Sequence, residues 1–248
     1  MTEKDYQGPD SRRVQEMFAG IAHRYDFLNH FLSASMDRRW RSLAVRKIQT
    51  LMKETGPRLC LDVCSGTGDL AMALQRGLNC EVVASDFCHP MLTRANSKIE
   101  RRPVRMVEAD TLRLPFPDRC FDALTIAFGL RNLEDLSRGL IEMRRVLRPG
   151  GIIVILEFSR PVVPVFKHVF SFYFRYILPQ LGGVISGNRT AYQYLPDSVR
   201  KFPAQRELMS LLLSAGFKNP GYRNLSGGIA ALHWAQTERK VTPAFQFA

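Results

Sequence analysis

The chain has 248 residues, 46% hydrophobic and 23% charged, with a formal net charge of +12. That length supports one large α/β domain with a substantial core, and no run of about 18 uncharged apolar residues marks a membrane span. The charge favours an acidic surface such as anionic lipid headgroups or nucleic acid, weighed against simple solubility with scattered cations.

In chain order, the polar segment 1–10 lacks the apolar core of a signal peptide, so a cytoplasmic compartment is expected. Residues 11–54 read as two helices joined by Ser33-Ala-Ser35, the first carrying Phe18, Ile21, Tyr25 and Leu28 at helical spacing. This segment is placed as a cap over the cofactor end of a sheet. From 58 to 157 the hydrophobic period alternates between strand-like and helix-like, which predicts repeated βα units around a parallel sheet. Strands are expected at 58–63, 81–85, 104–108, 123–128 and 152–158, with helices at 69–76, 90–99 and 133–147. Arg148-Pro149-Gly150-Gly151 ends the last helix and turns the chain into the fifth strand. Residues 161–200 interrupt the pattern; Phe166, Phe170 and Phe174 lie on one helical line, with Lys167, Ser171 and Arg175 beside it. This reads as a helix packed on the domain or a lid over a lipophilic substrate. A helix at 205–214 and strands at 218–225 and 229–236 follow. The layout is one domain over 1–248: cap 11–54, core 58–160, insertion 161–200, and C-terminal helix and hairpin 201–236. Five cysteines (Cys60, Cys64, Cys80, Cys88, Cys120) form no Cys-x-x-Cys pair, so buried free thiols and no metal are expected.

The segment Leu61-Asp-Val-Cys-Ser-Gly-Thr-Gly-Asp-Leu70 is an apolar strand, an acid, a Gly-x-Gly turn and a helix start. Gly66 and Gly68 allow a sharp turn and close approach of a nucleotide-like ligand. Asp62 before them suits a cationic amino-acid tail better than a pyrophosphate, which it would repel. Asp86 after the second strand can accept ribose hydroxyls, and Asp110 after the third lies within reach of an adenine amino group. Taken singly, each acid could instead cap a turn or helix. The glycines and Asp86 alone would also pass as a dinucleotide fingerprint.

With Leu114-Pro-Phe-Pro-Asp118, Ala127-Phe-Gly-Leu-Arg-Asn132 and Leu147-Arg-Pro-Gly-Gly151, the series resembles that of class I S-adenosylmethionine-dependent methyltransferases. That resemblance implies a Rossmann-like α/β fold with a seven-stranded, mostly parallel sheet, here with N-terminal helices and an inserted helical lid. Nearly the whole chain is similar to the UbiE/MenG family, the C-methyltransferases of ubiquinone and menaquinone biosynthesis. The similarity is carried by Met17-Phe-Ala-Gly-Ile-Ala-His-Arg-Tyr-Asp-Phe-Leu-Asn29, Phe128-Gly-Leu-Arg-Asn132, Leu156-Glu-Phe-Ser159, Tyr192-Gln-Tyr-Leu195 and Asn224-Leu-Ser-Gly-Gly-Ile-Ala-Ala-Leu-His233. By position it implies Thr67, Asp86, Asp110 and Thr111 as contacts to S-adenosyl-L-methionine. Ala127 departs from the serine often found there.

The resemblance further implies methylation of a ring carbon in a prenylated quinol, either demethylmenaquinol or a benzoquinol counterpart. Such a reaction needs the ring carbon held in line at about 3–3.5 Å. It also needs loss of a quinol proton, for which a positioned base contributes roughly 10²–10⁴-fold. Candidates for base or relay are His23, Tyr25, Asp26 and Tyr192, while Arg131 and Asn132 can stabilise the quinolate. Against these roles stand a surface ion pair of Arg131 with Glu134 or Asp135, and helix capping by Asn132. The lipophilic acceptor suggests peripheral membrane contact, and a homo-oligomer or quinone-synthesis assembly as context. Two alternatives are a non-catalytic S-adenosylmethionine-binding subunit and a nucleic-acid methyltransferase. The second is disfavoured because the loop after the fourth strand has no Asn/Asp-Pro-Pro-Tyr clamp and no basic binding domain is appended, so no nucleic-acid partner is expected.

Overall fold

The computed structural model describes residues 6, 8–23, 25–26, 33, 35–99, 103–162 and 189–239, with backbone alone for 189–193. The expected Phe166, Phe170 and Phe174 stripe and its basic neighbours lie outside these residues, as does the side chain of Tyr192.

Helix α1 (Ser11–Ile21) starts where Asp10 accepts the Arg13 N–H at 2.9 Å, satisfying one orphan donor of its first turn. Helix α2 (Met36–Leu51) buries Trp40, Ala44, Val45 and Ile48 and leaves Arg38, Arg39 and Arg46 exposed. The βα alternation then runs β1 (Leu59–Val63), α3 (Asp69–Leu78), β2 (Glu81–Asp86), α4 (His89–Ile99) and β3 (Val104–Glu108). It continues through β4 (Phe121–Ala127), a 3-10 turn at Leu130–Asn132, α5 (Leu136–Val146) and β5 (Leu147–Phe158). Helices α6 (Arg189–Lys201) and α7 (Gln205–Ser214) precede the hairpin of β6 (Lys218–Leu225) and β7 (Ala230–Gln236).

The seven strands form one sheet in the order β3-β2-β1-β4-β5-β7-β6. The first five are parallel, and β7 inserts antiparallel between β5 and β6. Strands β1, β4 and β5 are buried on both faces, which is why they read as apolar runs rather than as alternation. One face packs on α2 and α3 through Ile48, Leu70 and Leu74; the other packs on α5 and α7 through Leu140, Met143 and Leu212. All five cysteines are free thiols, with Cys60, Cys80 and Cys88 buried and Cys64 and Cys120 half-buried. Among the described residues, no helix is long and apolar enough to cross a membrane, and no group of three or more His, Cys, Asp or Glu could hold a metal.

Several boundaries differ from expectation, among them the start of α5 at Leu136 and not at 133, where Asp135 takes the N-cap. The Arg148-Pro-Gly-Gly151 turn is drawn into β5, whose ladder slips between Phe121↔Leu147 and Ala123↔Ile152. Gly150 at φ 76 absorbs that irregularity. Strand β4 starts two residues early because Phe121 is a core side chain, and it ends at Ala127 because Phe128 turns to φ 60.

The order of the strands reverses at β1, which lies between β2 and β4, and such a switch point opens a crevice at the strands' C-terminal ends. The ends of β1 and β4 approach closely there. Cys64 holds left-handed backbone at φ 50, and a Cβ on Gly129 would lie 2.4 Å from the Cys64 Cβ. Gly129→Ala should therefore destabilise the fold by about 1–3 kcal/mol through overpacking. Adding Cys64→Gly removes both the opposing Cβ and a strained φ, so thermal melting should recover most of the loss. A Gly129→Ala chain that melts like the parent contradicts this packing.

Candidate active site

The crevice holds a cavity of about 130 Å³. Its floor is Cys64 and Gly66 from the β1 loop, its far end Asp86 and Phe87 after β2, with Asp110 and Thr111 after β3. Phe128, Gly129 and Asn132 close it from the β4 side, while Val14 and Phe18 of α1 and Tyr25 cover it. Of the residues anticipated from sequence, Tyr25, Gly66, Asp86, Asp110, Thr111 and Asn132 therefore meet at one cavity. Arg131, Asp26, Asp62, Thr67, Gly68 and His23 do not line it.

Each acid sits at a different depth. Asp86 is buried and ties the β2 end to the glycine loop: the Gly66 N–H donates to its Oδ2 at 2.8 Å and the Cys88 N–H to its Oδ1 at 2.9 Å. Burial raises its pKa, opposed by those backbone donors. With the Phe87 N–H also directed at the carboxylate, acceptor capacity remains for a ligand hydroxyl. Asp110 is exposed, with the Leu112 N–H on its Oδ1 at 2.9 Å. Thr111 is buried, its Oγ1 3.4 Å from Cys64 Sγ. Asp62 lies beneath the loop at 1% exposure, not on the cavity wall as a direct contact would require. Its Oδ1 accepts the Thr125 hydroxyl at 2.6 Å, and its Oδ2 has no partner among the described residues. Burial pushes its pKa up to about 7, held down in part by Thr125.

Thr67 and Asp26 are joined in one polar network beside the cavity. The Thr67 hydroxyl donates to Asp26, and the Lys98 ammonium lies 2.8 Å from Asp26 Oδ2, 2.7 Å from Asp69 Oδ1 and 3.2 Å from Thr67 Oγ1. Arg41 extends the network by pairing Asp37 and reaching Asp69 at 3.5 Å. These contacts fasten the segment carrying Tyr25 to the glycine loop and α4. His23 is exposed in the turn after α1. Tyr25 packs edge-on against Phe18 at 5.9 Å, and its ring lies 3.7 Å from where a Gly66 Cβ would stand.

Arg131 is neither on the surface nor paired with Glu134 or Asp135. Its Nη1 donates to Glu157 Oε1 and to the Phe128 carbonyl, both at 2.6 Å, and its Nε to Ser198 Oγ at 3.3 Å. Burial opposes the guanidinium charge, but Glu157 together with Tyr194 and Tyr25 outweighs it and raises the pKa. Arg131 faces a second cavity, of about 410 Å³, together with Tyr6, Tyr194 and Ser198. The Tyr6 hydroxyl donates to the Arg131 carbonyl at 2.7 Å. Asn132 does not cap α5; Asp135 does, accepting the Arg138 N–H at 2.9 Å. Instead Asn132 Oδ1 accepts the Tyr194 hydroxyl at 2.9 Å, and its Nδ2 faces the Phe128 carbonyl at 3.4 Å. His233 is buried, its pKa lowered by burial to about 4, with Nε2 3.3 Å from the Gln205 carbonyl.

Tyr6, Lys98, Glu157 and Tyr194 are site-shaping residues that pattern reading did not single out. Glu157 carried a signal: an acid ending the apolar run Ile152-Ile-Val-Ile-Leu156 needs a counter-ion once that strand is buried. Tyr194 sat two residues from Tyr192 in the same string. Tyr6 and Lys98 carry no local signal.

The cavity suits S-adenosylmethionine. Gly66 and Gly68 hold φ 55 and 81, so the loop backbone turns beneath the cavity with no side chain from either in the way. Phe87, Met91 and Leu112 offer apolar walls for a flat base. Asp86 and Asp110 offer acceptors, and the unpartnered Asp62 oxygen lies below the loop where positive charge would be met.

A solved S-adenosylmethionine-dependent methyltransferase from Thermotoga maritima, described as a possible histamine N-methyltransferase, superposes with a TM-score of 0.63 at 16% identity. That alignment covers 90% of this chain and 99% of the other, and at such identity the likeness shows the fold alone. The chain is 50% identical to the demethylmenaquinone methyltransferase of Thermus thermophilus, over 88% of its own length and 98% of that protein's. It is 45% identical to the ubiquinone/menaquinone biosynthesis C-methyltransferase UbiE of Geobacter sulfurreducens, over 89% and 87%. The model of the ubiE/COQ5 methyltransferase family matches residues 6–237, so the strand-end acids, the glycine loop and the Phe128–Asn132 turn all fall inside it. The chain belongs to the ubiE/COQ5 methyltransferase family.

Proposed function

We propose that this protein transfers the methyl group of S-adenosylmethionine to a ring carbon of a prenylated quinol in menaquinone or ubiquinone biosynthesis. The observation that carries this reading is the family match across residues 6–237, with relatives of both names aligned over most of their length. Bound in the cavity, S-adenosylmethionine supplies a methyl group already activated on a sulfonium.

The chain's own residues then have three tasks. Asp86 and Asp110 hold the ribose and the adenine, while Phe87 and Met91 flank the base. Asn132 donates an N–H to a ring oxygen of the acceptor, favouring the quinolate, whose ring carbon is the more electron-rich. Tyr25, on the cavity wall, relays the proton that the quinol loses. Arg131 acts one layer back, holding the Phe128–Asn132 turn through Glu157. Phe18 and Val14 of the 11–54 cap exclude water from the transfer. A prenyl tail requires access from a lipid surface. Peripheral contact with anionic headgroups is supported by the net charge of +12 and the exposed Arg38, Arg39 and Arg46 of α2.

The buried Asp62 makes cofactor affinity depend on pH. Its pKa is raised to about 7, so the negative charge beneath the loop is lost as pH falls through 7, and attraction for a cationic ligand with it. The same sign makes the ionised form a cost to the ligand-free fold above 7. Calorimetry between about pH 8 and about pH 6 should show affinity falling several-fold in the parent and staying flat, at a weaker value, in Asp62→Asn. Ligand-free Asp62→Asn should also melt above the parent at about pH 8. A parent-like pH profile in Asp62→Asn contradicts this assignment.

The quinone pool of cells lacking the protein tests the pathway. Mass spectrometry of extracted lipids should reveal accumulated demethylmenaquinone, or a demethylated benzoquinone if that is the acceptor. Normal pools with neither species would remove the quinol reading.

A further inference from the structure

Asn132 lines the first cavity and has a described side-chain partner in Tyr194, and that partner bears on what the amide can do. An amide offers either an acceptor oxygen or donor N–H groups, and which end faces the cavity depends on the surrounding bonds. The Phe128 carbonyl can only accept, so the atom facing it at 3.4 Å must be nitrogen. The atom facing Tyr194 at 2.9 Å is then the oxygen, and the phenol must donate to it. Burial raises the Tyr194 pKa, so the hydroxyl keeps the proton that this bond needs. Tyr194 stands on α6 between the two cavities: its neighbours in the second are Tyr6 and Arg131, and Asn132 lines the first.

We propose that Tyr194 is a positioning residue that locks the Asn132 amide so that an Nδ2 hydrogen, and not the carbonyl, is presented to the acceptor's ring oxygen. This rests on the quinol reading above and specifies it: the site favours a quinol whose ring oxygen accepts a hydrogen bond as it loses its proton. Without the phenol, Oδ1 loses its donor and only the 3.4 Å contact to the Phe128 carbonyl orients the amide. A less firmly held amide presents its N–H to the forming charge less often. Phe128 and Arg131 hold the other end of the arrangement. Arg131 donates to the same Phe128 carbonyl at 2.6 Å, which keeps that carbonyl aimed at the amide nitrogen.

A double-mutant cycle on the full chain tests it, with methyl transfer to a short-chain demethylmenaquinol analogue as readout. Tyr194→Phe should melt near the parent, keep cofactor affinity and acceptor KM, and lose about tenfold in kcat, one hydrogen bond's worth of orientation. Asn132→Ala should lose on the order of 10²-fold in kcat, as for one oxyanion donor. Together they should lose no more than Asn132→Ala alone, because the tyrosine acts only through the amide. Losses that multiply, or an unchanged kcat in Tyr194→Phe, overturn the proposal while leaving Asn132 as an acceptor contact. An unchanged kcat in Asn132→Ala overturns that contact as well. If Tyr194→Phe does not fold, Asn132→Asp replaces it. The acid still accepts from Tyr194 but sets an oxygen against the Phe128 carbonyl and has no N–H, so it should melt below the parent and match Asn132→Ala in kcat; parent-like turnover overturns the proposal.

Discussion

The ion pair between Arg131 and Glu157 is the contact on which the site's geometry depends. Glu157 is 1% exposed, in the strand that lies beside β4, and Arg131 is 6% exposed in the turn that follows β4. Either charge alone at that depth would cost several kcal/mol, so the turn must keep the guanidinium over the strand. The consequences reach the cavity through the backbone. Arg131 also takes the Phe128 carbonyl, Phe128 goes to φ 60, and Gly129 comes into contact with Cys64 of the glycine loop. A pair of buried charges thereby sets the distance between the cofactor loop and the acceptor turn.

The same economy appears in the carboxylates. Asp110 is exposed, Asp86 is buried with both oxygens on backbone donors, and Asp62 is buried with one oxygen unpartnered. Asp86 and Asp110 line the cavity, where the proposed hydroxyl and amino contacts need acceptors, whereas Asp62 lies beneath the loop. On the cap side, Lys98 gathers Asp26, Asp69 and Thr67, so the glycine loop is held from both its flanks.

Much of the fold is legible because β1, β4 and β5 are apolar runs between helices of clear period, and the final helix and hairpin follow separate turn signals. Gly66, Asp86, Asp110 and Thr111 meet at the cavity because strand ends in a doubly wound sheet converge wherever the strand order reverses, whereas Asp62, Thr67 and Gly68 lie off its wall. The acceptor half is less legible. Arg131 reads as a surface residue because its nearest acids in sequence are Glu134 and Asp135, while its true partner is 26 residues away on a neighbouring strand. The ion pair of Asp26 with Lys98, 72 residues on, is equally hidden. Asn132 reads as a helix cap because only the register of the turn reveals that Asp135 takes that place. For Arg131 and Asp26 the partner is long-range, and local spacing carries no trace of it.

On the proposed function, Asn132 in the Phe128–Asn132 turn holds a ring oxygen of the acceptor and the methyl group goes to the ring carbon. The most direct measurement is the position of the transferred group. The purified chain is given methyl-deuterated S-adenosylmethionine and a demethylmenaquinol or 2-methoxy-6-polyprenyl-benzoquinol acceptor, and the product is resolved by NMR and fragment mass spectrometry. The deuterated methyl should appear on the ring carbon of one or both acceptors, with both ring oxygens unmethylated. Label on a ring oxygen, or bound cofactor with no transfer to either acceptor, would contradict the account.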